Sequence, residues 1–238
     1  MEEKQSWSIV IFCFNEVETV AKVTQKVLDV LQTIADSYEI LLVDDGSTDG
    51  SREEIIRVEK TSEKVRYIFH PENQGIGHAL RTGYFNVKYE NVCAVPADGQ
   101  FDVTELLAFA QVTPGSFVSF FRKENTTYTL ARNALSYANK VVNKWLLGFD
   151  IKDVNWVKIY KTEQIGRLNL EIESSLVESE ICAKLLIAGQ KLIEVPSKYV
   201  PREAGVSKGA SWKIVRQALR DTLLMSAVLG RFKRQLKR

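Results

Sequence analysis

The stretch Ser8–Glu16, SIVIFCFNE, and its echo at Tyr38–Asp49, YEILLVDDGSTD, decide how this chain folds. Each opens with an apolar run rich in β-branched, aromatic or leucine side chains, and each ends abruptly in carboxylates and turn residues. A continuous apolar run of this length reads as a strand buried on both faces. Between them, Val17–Ile34 carries Val20, Val23, Val27, Leu31 and Ile34 at spacings of three and four, the stripe of one helix face. Working outward, the same alternation recurs. Arg52–Glu59 is predicted helical, Arg66–Phe69 a short strand, Gly75–Val87 a helix, and Asn91–Pro96 a strand ending at Ala97-Asp98. Strands alternating with helices at this pitch predict right-handed βαβ units, hence an α/β fold with a mainly parallel central sheet flanked by helices.

Beyond Thr113 the pattern loosens. Strands are expected at Ser116–Phe121, Val154–Tyr160 and Lys191–Val195, the last stopped by Pro196. Helices are expected at Thr129–Leu147 and Leu176–Ala188, a polar loop at Pro201–Gly209, and an amphipathic helix over Ser211–Leu229 with Trp212, Val215, Leu219 and Leu223 on one side. The expected organisation is one domain over residues 1–210 followed by a basic amphipathic helix and tail over 211–238.

The 238 residues hold 45% apolar and 26% charged side chains, which excludes disordered and collagen-like chains. Three widely spaced cysteines, Cys13, Cys93 and Cys182, exclude a disulfide framework or a zinc ribbon and suit a reducing compartment. Two histidines are too few for a His-rich metal site. The N-terminus lacks the pattern of a signal peptide, and no apolar run approaches the ~18 residues of a membrane span. A net charge of +2 conceals an asymmetry: Arg202–Arg238 holds 10 Lys/Arg against 2 Asp/Glu, so the remainder is acidic. A basic tail on an acidic body points to an anionic partner.

In an open parallel sheet, ligands bind beyond the carboxyl ends of the strands. Three clusters fall there: Asn15-Glu16, Asp44-Asp45-Gly46-Ser47 and Asp98-Gly99-Gln100. Any one alone reads equally as a turn or helix cap; three in phase make candidate walls of one cleft, able to hydrogen-bond a base or ribose and to hold a hard divalent cation between phosphates. Two rival motifs fail. Asp45–Gly50 begins like a calcium loop, but its twelfth position is Ile56 and a strand precedes it. Gly75-Ile76-Gly77 lacks the third glycine of a dinucleotide fingerprint, with Leu80 in its place.

The ordered set FCFNE (Phe12–Glu16), VDDGSTD (Val43–Asp49), NQGIGHALRTG (Asn73–Gly83) and ADGQ (Ala97–Gln100) resembles the family 2 glycosyltransferases of the GT-A fold. Glu178-Ser179-Glu180 followed by IEVP (Ile193–Pro196), and Arg202–Lys208 as R-x-x-G-x-S-K, are similar to the polyprenyl-phosphate glycosyltransferases, the subgroup of dolichyl-phosphate mannose synthase. The resemblance implies an inverting transfer of a sugar from a UDP- or GDP-sugar donor to a polyprenyl (dolichyl or undecaprenyl) phosphate, with Mg²⁺ or Mn²⁺ as cofactor and no nucleic-acid partner. It assigns Asp44 and Asp45 to the nucleoside, with Glu16 and the Phe12–Phe14 backbone beside the base. It assigns Asp98 to the metal with Gln100 assisting, and Arg202, Ser207 and Lys208 to the donor diphosphate, so that Asp98, Arg202 and Lys208 carry catalysis. Arg122, Arg132, Ser136 and Asn139 resemble the acceptor-phosphate site.

Two departures stand out: Phe12 occupies a position usually held by proline, and Pro96 replaces the first aspartate of Asp-x-Asp, removing one metal ligand. Two alternatives stay open, the second of them motivated by Pro96. One is a family 2 enzyme acting on a soluble sugar or glycan hydroxyl, with Glu178, Glu180 or Asp153 as base; the other is a degenerate protein that binds nucleotide-sugar without turnover. The leading reading expects a cytoplasmic protein, peripheral at the inner face of a membrane and seated there by its basic C-terminus.

Overall fold

In a computed structural model, residues 4–123, 148, 150–201 and 212–237 are described. The helix expected over Thr129–Leu147 and the polar loop from Arg202 onward lie outside them. The leading alternation folds as read: β1 (Trp7–Cys13), α1 (Val20–Ile34), β2 (Tyr38–Asp44), α2 (Ser51–Glu59), β3 (Val65–Phe69), α3 (Ile76–Phe85) and β4 (Asn91–Pro96). A 3-10 helix (Val103–Phe109) follows, then β5 (Ser116–Arg122), β6 (Lys158–Lys161), α4 (Thr162–Gly166), α5 (Val177–Ile187), β7 (Lys191–Ser197) and α6 (Trp212–Gln235).

The seven strands lie in the order β3-β2-β1-β4-β6-β5-β7. β3, β2, β1 and β4 are parallel, as are β5 and β7, while β6 runs antiparallel to both of its neighbours. Alternation along each strand splits the core. Ile9, Ile11, Ile40, Leu42 and Val95 face α1 and the 3-10 helix, whereas Val10, Leu41, Val43, Val92 and Ala94 face α3 and α5. Helices on both faces explain why these strands read as unbroken apolar runs.

The structure differs from the sequence expectation in three places. β6 starts at Lys158 rather than Val154, because the residues before it turn so that the carbonyls of Val154 and Trp156 accept the buried Lys158 ammonium. β7 runs through Pro196 to Ser197 instead of stopping. It is one of the two edge strands, where proline is tolerated because one side of the backbone has no strand to pair with. α6 runs on to Gln235 rather than ending at Leu229: Met225, Val228 and Leu229 pack on Ile172, Leu176 and Ala183, while Leu223, of the stripe singled out in the sequence, is 81% exposed. Two residues along a helix is a rotation of about 200°, so burying Met225 turns Leu223 outward. Asp221, also on the docked side, accepts the backbone N–H groups of Glu173 and Ser174 at 3.3 and 2.9 Å.

Gly77 shows how closely α3 is seated. A Cβ there would stand 2.1 Å from the Glu173 carbonyl oxygen and 2.3 Å from that of Ser174, both backbone. Gly77→Ala is therefore expected to destabilise the fold by about 3 kcal/mol, the upper range of overpacking. Urea unfolding would show a lowered midpoint at unchanged slope; a midpoint within error of the parent would contradict the close approach.

Candidate active site

The order of strands reverses at β1, from which the chain passes to β2 and β3 on one side and returns to β4 on the other. Such a switch point opens a crevice at the carboxyl ends of the strands. Register places Cys13 beside Asp44 and Phe12 beside Pro96, so the loops after β1, β2 and β4 rise from one edge. The three clusters singled out in the sequence are therefore brought together.

The loops after β1 and β2 are laced to each other. Asn15, in the left-handed region at φ 55°, donates its backbone N–H to Ser47 Oγ at 2.7 Å and accepts from Thr48 N–H at 2.7 Å through its side chain. Glu16 N–H donates to Ser51 Oγ at 2.9 Å, and Val17 N–H to Asp49 Oδ2 at 3.2 Å. Burial works against the charge on Asp49, but the Ser51 hydroxyl and the Ser51 and Val17 N–H groups outweigh it and hold that carboxyl below its ordinary value. Ser47 and Asp49 of the motif, with Ser51 at the start of α2, thus shape the rim. Beneath it, burial and then the Asp44 charge push the Cys13 thiol up to about 12, so it stays a neutral thiol.

Asp44 and Asp45 are adjacent and differ in what they hold. Asp45 Oδ1 takes His70 Nδ1 at 2.8 Å and Gln74 N–H at 3.0 Å; its Oδ2 takes Asn73 Nδ2 at 2.9 Å and Gly75 N–H at 2.8 Å. His70 reaches on to Thr82 Oγ1 at 2.9 Å. Asp45 is thus the organiser of the 70–75 loop, a role the sequence reading did not give it, with His70 an unforeseen partner. Asp44 accepts Ser47 N–H at 3.1 Å and Arg52 Nε at 2.8 Å, both through Oδ2, while its Oδ1 is buried without a hydrogen-bond partner among the described residues. A buried, bare carboxylate oxygen is costly in a free protein and marks a place for a ligand's donor.

Asp98 follows β4, 7% exposed, and its Oδ1 accepts Gln100 N–H at 3.0 Å across a turn in which Gly99 has φ 71°. Gln100 Nε2 donates to the Tyr199 hydroxyl, which leaves its amide oxygen as the atom it has to offer a cation. Among the described residues no group of three or more His, Cys, Asp or Glu side chains could hold a metal. One carboxylate and one amide oxygen form a hard, incomplete donor set. It fits a divalent cation whose other ligands are diphosphate oxygens and water, and it does not fit one held by protein alone.

Arg122 ends β5. It forks onto Asp153 at 2.7 and 3.1 Å and lies 4.6 Å from the centre of the Trp156 ring. Arg132, Ser136, Asn139, Arg202, Ser207 and Lys208 lie outside the described residues. The other two carboxylates weighed as bases are sealed in the fold. Glu178 accepts from the phenols of Tyr84 and Tyr160 at 2.5 and 2.6 Å. Glu180 accepts Ile172 N–H at 2.8 Å and pairs with Lys184 at 2.6 Å.

A family model described as glycosyl transferase family 2 matches residues 8–165. The chain belongs to that family. The motif reading is borne out, and so is the fold: glucosyl-3-phosphoglycerate synthase of Mycobacterium tuberculosis, solved with Mn²⁺, UDP-glucose and phosphoglyceric acid, superposes with a TM-score of 0.67 at 16% identity, covering 95% of this chain and 80% of that one. A mannosyltransferase of Pyrobaculum calidifontis, solved with GDP-mannose and Mn²⁺, gives 0.58 at 16% identity over 97% and 74%. Among relatives in sequence, the undecaprenyl-phosphate 4-deoxy-4-formamido-L-arabinose transferase of Edwardsiella ictaluri is 25% identical over 87% of this chain and 64% of its own length. The enzyme of the same name from Photorhabdus laumondii is 25% identical over 90% and 66%. A dolichyl-phosphate beta-glucosyltransferase of Trichomonas vaginalis is 29% identical over 39% of the chain and 30% of its own length. These relatives carry names of the polyprenyl-phosphate kind that the motifs resemble. The chain spans about two thirds of the length of the undecaprenyl-phosphate enzymes, 64% and 66%.

Proposed function

We propose that this family 2 chain transfers a sugar, with inversion, from a UDP- or GDP-sugar to a polyprenyl phosphate such as undecaprenyl or dolichyl phosphate. The observation that carries the donor half is the buried, bare Oδ1 of Asp44 at the carboxyl end of β2, beside the ends of β1 and β4. In this reading Asp44 meets the nucleoside, with Phe12, Phe14 and Glu16 beside it. Asp98 and Gln100 hold Mg²⁺ or Mn²⁺ together with the diphosphate, and Arg202, Ser207 and Lys208 close over that diphosphate. A cation held by those residues would supply neutralising charge for the departing diphosphate.

The acceptor half rests on how the carboxylates weighed as bases are engaged among the described residues. A sugar hydroxyl needs a base, and the three carboxylates offered for that task are engaged: Asp153 with Arg122, Glu178 with two phenols, Glu180 with Lys184. A phosphate oxygen is already an anion and needs none, so positioning and charge neutralisation suffice. Arg122, Arg132, Ser136 and Asn139 are the residues proposed to receive it. The test is a transfer assay with UDP- and GDP-sugars, Mn²⁺, and undecaprenyl or dolichyl phosphate in vesicles. Lipid-linked sugar as product supports the reading; transfer only to soluble glycans, or donor binding without any transfer, replaces it with one of the two alternatives.

A lipid acceptor requires access to a bilayer. No helix among the described residues is long and apolar enough to cross one. We infer contact through the outward face of α6, where Leu223 stands exposed among the exposed cations Arg220 and Arg234, with Lys237 beyond. Each such cation contributes about 1 kcal/mol near an anionic surface, fading within a Debye length. The full chain is expected to co-sediment with phosphatidylserine vesicles at low salt and to release as salt rises. Leu223→Asp, being at the surface, should weaken this without lowering the melting temperature. Absent or salt-insensitive binding would leave α6 as structure alone.

A further inference from the structure

Arg52 lies in the first turn of α2, and its Nε stands 2.8 Å from Asp44 Oδ2. Its terminal nitrogen donates to the His70 carbonyl, and the guanidinium stands 5.3 Å from the centre of the Phe69 ring. The end of β2, the end of β3 and the start of α2 therefore meet on one planar cation. Both donors to Asp44, this guanidinium and Ser47 N–H, use the same oxygen, and the other is buried and bare. A fork that also grips a backbone carbonyl holds the carboxylate at a defined angle, which a point charge does not. An ionised carboxylate oxygen is an acceptor only.

We propose that Arg52 is a positioning residue that sets base selectivity: holding Asp44 by Oδ2, it presents Oδ1 to the N–H edge of the donor's nucleobase. The site then favours a base with an imino N–H, uracil or guanine, over one that offers a ring-nitrogen acceptor on that edge, cytosine or adenine. Acceptor against acceptor leaves two buried groups unpaired, a discrimination of roughly 10- to 100-fold. The inference rests on the nucleotide-sugar reading above and adds to it the residue that enforces the choice.

The experiment is calorimetric titration of the full chain with UDP, GDP, CDP and ADP in the presence of Mn²⁺, for the parent, Arg52→Gln, Arg52→Lys and the control Arg57→Gln. Arg57 is on the same helix, exposed and paired with Glu54, away from the cleft. The parent is expected to bind UDP or GDP at least about tenfold more tightly than CDP and ADP. Arg52→Gln should weaken the favoured nucleotide by about tenfold and narrow its ratio to CDP, with Arg52→Lys between the two and Arg57→Gln at the parent value. Melting temperatures identify folded samples, and either Arg52 variant alone suffices for the comparison. Equal weakening of all four nucleotides, with the ratios preserved, would make Arg52 merely structural and overturn the proposal. A parent that binds all four alike also overturns it while leaving the nucleotide-sugar reading intact; a parent that binds none overturns that reading itself.

Discussion

Asn in place of Asp98 is expected to lower sugar transfer by about two to four orders of magnitude with no change in melting temperature. Asp98 is the one carboxylate remaining in the shortened motif, since Pro96 stands where a second would be. The fold should survive because the amide oxygen of Asn can still accept the Gln100 N–H that Asp98 accepts now. In the proposed site the substitution removes negative charge beside the diphosphate, so the second readout is Mn²⁺ affinity in the presence of UDP, which should fall together with turnover. Full turnover at ordinary metal concentrations, with unaltered Mn²⁺ binding, would place the cation elsewhere or make the reaction independent of it.

Glu178→Ala should be the most damaging single substitution to stability. The carboxylate accepts both the Tyr84 and Tyr160 phenols and lies 3.6 Å from the fully buried Lys158 ammonium. Burial first, and the Glu178 charge with it, raise both phenols well above their ordinary value, so they persist as donors that need this acceptor. Removing it takes the carboxylate acceptor from two buried hydroxyls and the counter-charge from the Lys158 ammonium, which keeps only the Val154 and Trp156 carbonyls, a loss of about 3–5 kcal/mol. Urea unfolding measures it directly. Glu178→Gln keeps an acceptor for one phenol and should cost less. A catalytic base would behave in the opposite way, with Glu178→Gln as stable as the parent and turnover abolished; that result would return Glu178 to the reaction and reopen the hydroxyl-acceptor alternative.

Glu178 also illustrates why the site was only partly legible. Its motif, Glu178-Ser179-Glu180, resembles the right family, and the hydroxyl-acceptor alternative offers its carboxylates as bases, whereas the structure engages both within the fold. An acidic pair at the start of a helix reads alike whether it faces a cleft or a core; here α5 is buried along nearly its whole length, and its carboxylates complete hydrogen bonds from residues far away in sequence. Asp44 and Asp45 pose the same problem at closer range. Both are buried at the end of β2, yet one is saturated by the 70–75 loop and the other is left with a bare oxygen. Arg52 and His70 could not be singled out as their partners, because turn residues and a surface-helix arginine carry no periodicity that marks a contact.

What the sequence determined by itself was the order and phase of the first seven elements and the family. Buried strands need unbroken apolar runs, helices need a stripe, and both signals are local. The same locality placed three polar clusters at strand ends, and a parallel sheet puts such ends on one edge whatever the side chains do afterwards. Tertiary structure decided the rest. The edge position of β7 let its strand pass through Pro196. The docking of Met225, Val228 and Leu229 on Ile172, Leu176 and Ala183 chose which side of α6 faces outward, since the helix has apolar residues on both. Which carboxylate is engaged and which oxygen stays bare depends on donors brought from another strand, loop or helix. Those distances are fixed only when the whole chain packs, because a hydrogen bond is decided over tenths of an ångström and the sequence pattern resolves no more than a face.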